Sequence, residues 1–187
     1  MPNELVEMIV ESVRVHMPSS RHVVILKEAN RERYLPIWIG PWEASAIAMR
    51  LQGVTPERPL THDLFANTLA ELGVRLDRIV ITRLAEETFH AALFLEANGR
   101  RIEVDSRPSD ALALAVRVGV PIYAAEAVLE AAGLGPDVEE GERERPGSPF
   151  ERAGGTPPDD PRLAPFREFI NSLDIDLPGE GGEPRRS

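Results

Sequence analysis

Two stretches of the chain repeat one another, and a repeat limits the architectures open to it. Glu28-Ala29-Asn30 lies between the apolar runs 22–27 and 33–39, and Glu96-Ala97-Asn98 lies between the runs 89–95 and 101–104. Thirteen residues after Glu28 begins Pro41-Trp-Glu-Ala-Ser-Ala-Ile-Ala48, and twelve after Glu96 begins Pro108-Ser-Asp-Ala-Leu-Ala-Leu-Ala115. The shared order is strand, turn, strand, then a helix opening on proline, whose fixed backbone suits a first turn and whose missing amide is not needed there. Joint occurrence at a near-constant offset reads as duplication of a strand-strand-helix unit. The expected fold is α+β, a mixed or antiparallel sheet built from the duplicated units with helices packed on it.

Other periodicities fill in this frame. Val6, Met8 and Val10, then Val13 and Val15, read as one long or bent strand with charged residues between. Residues 42–51 and 61–72 place apolar side chains at helical spacing, Phe65, Leu69 and Leu72 on one side of the second, and Gly53 and Gly73 follow as stops. Strands at 78–84 and 120–123 and helices at 109–118 and 125–132 complete a body of residues 1–132, large enough to bury roughly two thirds of its unfolded surface. Trp38 and Trp42 are expected to pack the first helix onto the sheet. Beyond the body, residues 133–187 carry 7 basic against 13 acidic side chains and more than half of all Gly and Pro. Residues 133–161 read as an acidic disordered linker, and 162–187 as a short helix, with Leu163, Phe166, Phe169, Ile170 and Leu173 at near-helical spacing, and a frayed end.

Composition removes several function classes. With no cysteine in 187 residues, disulfides, Cys-ligated metal and a thiol nucleophile are excluded. No apolar run approaches the ~20 residues of a bilayer span, and the opening MPNELVE lacks the order of a signal peptide, so no membrane partner and a cytoplasmic location are expected. Acidic residues number 31 against 21 basic, a net charge of −10, which argues against holding long nucleic acid by bulk electrostatics. Phosphate binding would need a local patch or a metal. The signatures of P-loop, Rossmann, zincin and serine-hydrolase chemistry do not occur.

Two polar clusters could carry chemistry. In Val104-Asp-Ser-Arg-Pro-Ser-Asp110, Asp105 at a strand end and Asp110 in a first helical turn could share a divalent cation, with Arg107 facing a phosphate. Helix capping and an Arg107–carboxylate pair explain the same residues. In Glu57-Arg-Pro-Leu-Thr-His-Asp63, His62 and Asp63 could act as an acid–base and metal pair; the alternative has Thr61 as N-cap, Asp63 complementing the helix dipole and His62 in solvent. Glu43 stands in the first turn of the other repeat helix, as Asp110 does in its own. His16, His22 and His90 are isolated on strand-like segments and read as surface residues.

Leu35-Pro-Ile-Trp-Ile-Gly-Pro-Trp-Glu-Ala44, Arg58-Pro-Leu-Thr-His-Asp-Leu64, the run from Val104 to Ala115, and Val120-Pro-Ile-Tyr123 together resemble the bifunctional nuclease (BFN) domain family, in order over residues 5–132. The resemblance implies an α+β fold, self-association as a homodimer or higher homo-oligomer, and nuclease activity on DNA and RNA. His90 stands where the family usually has an aromatic, and no second tail helix of a UVR-type module is evident. The motif residues match a phosphodiesterase inventory. Catalytic roles would fall to His62, Asp63, Asp105 and Asp110, substrate binding to Arg58, Arg107 and Ser109, and Mg²⁺ or Mn²⁺ to Asp105, Asp110 and Glu43. The alternative is a non-catalytic regulatory domain whose acidic tail contacts a protein partner.

Overall fold

The structure, a computed structural model, describes residues 4–16 and 19–135. Their elements run β1 (Leu5–His16), β2 (Arg21–Glu28), β3 (Tyr34–Ile39), α1 (Pro41–Leu51), α2 (Thr61–Glu71), β4 (Val74–Ala85), β5 (Thr88–Ala97), β6 (Arg100–Ser106), α3 (Pro108–Val118), β7 (Ile122–Ala125) and α4 (Glu126–Ala132). Of the expected linker only residues 133–135 are among the described residues, and the expected terminal helix lies outside them.

These residues form one seven-stranded mixed sheet, ordered β3-β2-β1-β7-β4-β5-β6, with four helices packed on it. The fold is α+β. Two meanders, β1-β2-β3 leading to α1 and β4-β5-β6 leading to α3, flank β7. Since β1 is antiparallel and β4 parallel to β7, the meanders run oppositely, as a two-fold axis normal to the sheet would relate them. The hairpin tips differ in detail. Asn98 and Gly99 both take positive φ, 51° and 75°, which gives β5–β6 a tight two-residue turn.

The bend expected in the first strand is a bulge between Val10 and Ser12, which shifts the inward set from Val6, Met8 and Val10 to Val13. Inward residues of the strands, including Val24, Leu26, Leu35, Ile37, Ile79, Ile81, Leu93 and Leu95, form one core with Ile47 of α1, Leu112 of α3 and Val128 and Leu129 of α4. Arg33 fastens α4, donating two hydrogen bonds to Glu126 (2.6 and 2.8 Å) and one to the buried Glu28 (2.8 Å). The body extends past residue 132, because Tyr34 and Leu134 exchange two backbone hydrogen bonds.

Two expectations fail on burial. Neither tryptophan packs α1 onto the sheet. Trp42 is 84% exposed, and Trp38 lies half-exposed with the Arg21 guanidinium stacked 4.3 Å from its ring. In α2 no residue is buried, and Phe65 and the C-cap Leu72 are exposed, because the helix offers only Ala66 and Leu69 as apolar contacts to the core.

Candidate functional site

Three helices begin with an acid in the same place. Pro41, Thr61 and Pro108 open α1, α2 and α3, and Glu43, Asp63 and Asp110 follow at the third helical position. There a carboxylate meets the unpaired amides and positive end of the helix. The N-cap residues are Gly40, Leu60 and Arg107, and none caps with a side chain. Thr61 is therefore the first helical residue rather than the cap. Asp63 does that work from within the helix, accepting the Leu60 amide at 2.9 Å.

The other two acids converge on one guanidinium. Arg107 donates from Nε and Nη2 to both Asp110 oxygens, at 2.6 and 3.0 Å, and from Nη2 to Glu43 Oε1 at 2.9 Å. His62 of α2 completes the group, its Nε2 lying 3.1 Å from Asp110 Oδ1. Burial pushes the Asp110 carboxyl up, but hydrogen bonds from Arg107 and His62 outweigh this and hold it below its ordinary value. Hydrogen bonding to Asp110 in turn raises Arg107. A carboxylate only accepts, so the proton of this contact sits on His62 Nε2, and in the neutral ring Nδ1 keeps the lone pair. His62 and Asp110 lie 48 residues apart in sequence, and the packing of α2 against α3 sets them side by side.

Arg117 is the residue that sequence reasoning missed. Its side chain, 6% exposed, donates to Asp63 Oδ1 (2.8 Å), Ala113 O (2.9 Å) and Ala46 O (3.1 Å), tying α2, α3 and α1 together. Burial raises the Asp63 pKa, but the Leu60 amide and Arg117 prevail and lower it. Asp63 is thus committed to structure. A lone arginine near the end of an Ala- and Leu-rich helix was the available signal.

The remaining candidates scatter. Asp105 pairs across the sheet with Ala92, whereas Val104 and Ser106 pair with the core residues Leu93 and Ala91. Asp105 therefore faces away from the helices and is not brought to Asp110. Ser109 is buried at 6% exposure and cannot face a substrate. Arg58 is exposed on the α1–α2 connection, four residues before His62, with no ion pair among the described residues. The donor set does not fit Mg²⁺ or Mn²⁺ as expected. Asp105 is on the wrong face, Arg107 already holds oxygens of both Glu43 and Asp110, and among the described residues no three His, Asp or Glu side chains group as ligands.

A family model described as the bifunctional nuclease domain matches residues 24–137. The chain belongs to that family. Two uncharacterized proteins from strains of Mycobacterium tuberculosis are each 53% identical over 128 residues, covering 68% of this chain and 76% of their own length. Bifunctional nuclease 1 of Oryza sativa subsp. indica is 25% identical over 114 residues, and bifunctional nuclease 2 of subsp. japonica 27% over 115. The matched segments cover 59% and 60% of this chain but 34% and 35% of the rice proteins. The segment that the BFN model matches takes in the four helices of the described residues, strands β3 to β7 and most of β2, while β1 precedes it. No helix among the described residues is long and apolar enough to cross a membrane.

Proposed function

We propose that the protein is a nuclease hydrolysing phosphodiester bonds of DNA and RNA, with the His62–Asp110–Arg107 group as its centre. The observation that carries the reading is the hydrogen-bonded set at the starts of α2 and α3, in a chain of the BFN family. Asp110 orients the imidazole through Nε2, and Nδ1 takes the proton of an attacking water as its oxygen bonds to phosphorus. The ester P–O bond breaks, and the leaving sugar oxygen takes a proton from solvent. Arg107, 64% exposed, and Arg58 bind the phosphate and stabilise the charge that builds on its oxygens. Trp42, one residue before Glu43 and open to solvent, offers a ring on which an unpaired base can stack. No step runs through a metal, and a cytoplasmic location belongs to the same proposal.

The test is cleavage of labelled DNA and RNA by wild type, His62→Gln and Asp110→Asn purified in parallel, with and without chelator. The reading expects loss of activity in both variants and activity that survives chelator. Activity indifferent to both substitutions would refute it. Loss on chelation alone would return Glu43 and Asp110 to the role of metal ligands.

A second reading is favoured by one observation. Arg107 bridges α1 and α3 through Glu43 and Asp110, so the same residues suit a structural clasp in a non-catalytic regulatory domain. Wild type without activity on any substrate would favour it.

A further inference from the structure

The sheet ends differently at its two edges. At β3, Pro36 lacks an amide and Tyr34 is bridged by Leu134, so that edge is partly closed. At β6, seven residues without Pro or Gly pair along their whole length with β5, and no strand follows among the described residues. A regular edge of this kind presents a row of free backbone donors and acceptors to another strand.

The side chains of β6 divide by face. Ile102 and Val104 pair with Leu95 and Leu93 and so stand on the helix side, yet they are 41% and 38% exposed. Arg101, Glu103 and Asp105 stand on the other side, exposed, and Arg101 and Glu103 make no ion pair among the described residues. Alternating charge beside bare apolar residues does not repel a strand of the same sequence, as a run of lysines would.

We propose that β6 pairs antiparallel with β6 of a second copy of this chain, across a two-fold axis that sets Ile102 opposite the partner's Ile102. Opposed residues of an antiparallel pair share a face, so a two-fold axis normal to the sheet must pass beside one residue of the strand. Beside Ile102, it places Arg101 against the partner's Glu103 and Glu103 against the partner's Arg101, with no like charges opposed. Beside Glu103, that acid meets itself. Beside Val104, Glu103 meets the partner's Asp105 on both sides. Cross-strand pairs of opposite charge stabilise and like charges directly opposed destabilise, which selects the first register. The same axis brings Ile102 of the two copies together.

Sedimentation velocity of the full chain over a concentration series tests this. Wild type is expected to dimerise. Glu103→Arg, which opposes arginines at both symmetric positions, is expected to weaken the dimer by roughly tenfold or more. The charge-swapped chain, Arg101→Glu with Glu103→Arg, restores both pairs and is expected to recover the wild-type dissociation constant. A wild type that stays monomeric at the highest concentration reached overturns the edge pairing. A dimer indifferent to Glu103→Arg, or one that the swap fails to restore, overturns the register.

Discussion

Replacing Arg117 by leucine and Arg107 by leucine should separate what holds the helices from what meets a substrate. Both arginines bridge helices through first-turn acids, but their surroundings differ. The Arg117 side chain is 6% exposed, and its loss leaves Asp63, at 27%, with only the Leu60 amide. Breaking a buried pair costs about 3–5 kcal/mol, and the partial exposure of Asp63 lowers this to about 2–4 kcal/mol. The two carbonyls it leaves sit in helices and lose less. For a body of this size, roughly 3–6 °C of melting temperature accompany each kcal/mol, so Arg117→Leu should melt about 6–24 °C below wild type. Arg107 is 64% exposed, and its surface ion pairs contribute about 0–1 kcal/mol. Arg107→Leu should melt within a few degrees of wild type, yet lose oligonucleotide binding and cleavage. Thermal and urea unfolding followed by far-UV circular dichroism, beside a cleavage assay, measure both. If Arg107→Leu proves the more destabilising, or Arg117→Leu leaves the melting temperature unmoved, the division of roles is backwards.

Acid should unfold the domain through the same carboxylates. Asp63 and Asp110 are both held below their ordinary values, so their stabilisation is present above the unfolded pKa of about 3.9 and lost as pH falls through the folded values. Melting temperature should fall as pH drops below about 4, and Asp63→Asn should flatten that limb. Arg58→Lys keeps the charge but loses the fork, and should weaken oligonucleotide binding in fluorescence anisotropy while leaving a shallow salt dependence. An unchanged affinity would move Arg58 out of the substrate site. Trp42→Ala should weaken single-strand binding by about tenfold or more, and binding should quench the wild-type tryptophan emission; emission indifferent to oligonucleotide would remove the stacking role.

Local rules on the sequence determine much of this protein. Proline at 41 and 108 fixes where α1 and α3 start, alternation fixes the strands, and the recurrence of one unit anticipates a sheet with matching halves. These follow from steric and hydrogen-bonding preferences within a few residues, so they survive without tertiary context. Even the orientation of Asp105 was latent, since it lies one residue from Ser106 on a strand and must face the opposite way. What the strand pattern did not say is which of those faces the helices would cover. Only the packed structure sets His62 beside Asp110 and threads Arg117 between three helices, because these contacts depend on how rigid elements cross. The exposure of α2 and Trp42 has the same origin. Periodicity identifies an apolar side chain's direction from its own axis, whereas burial depends on whether another element occupies the space beside it.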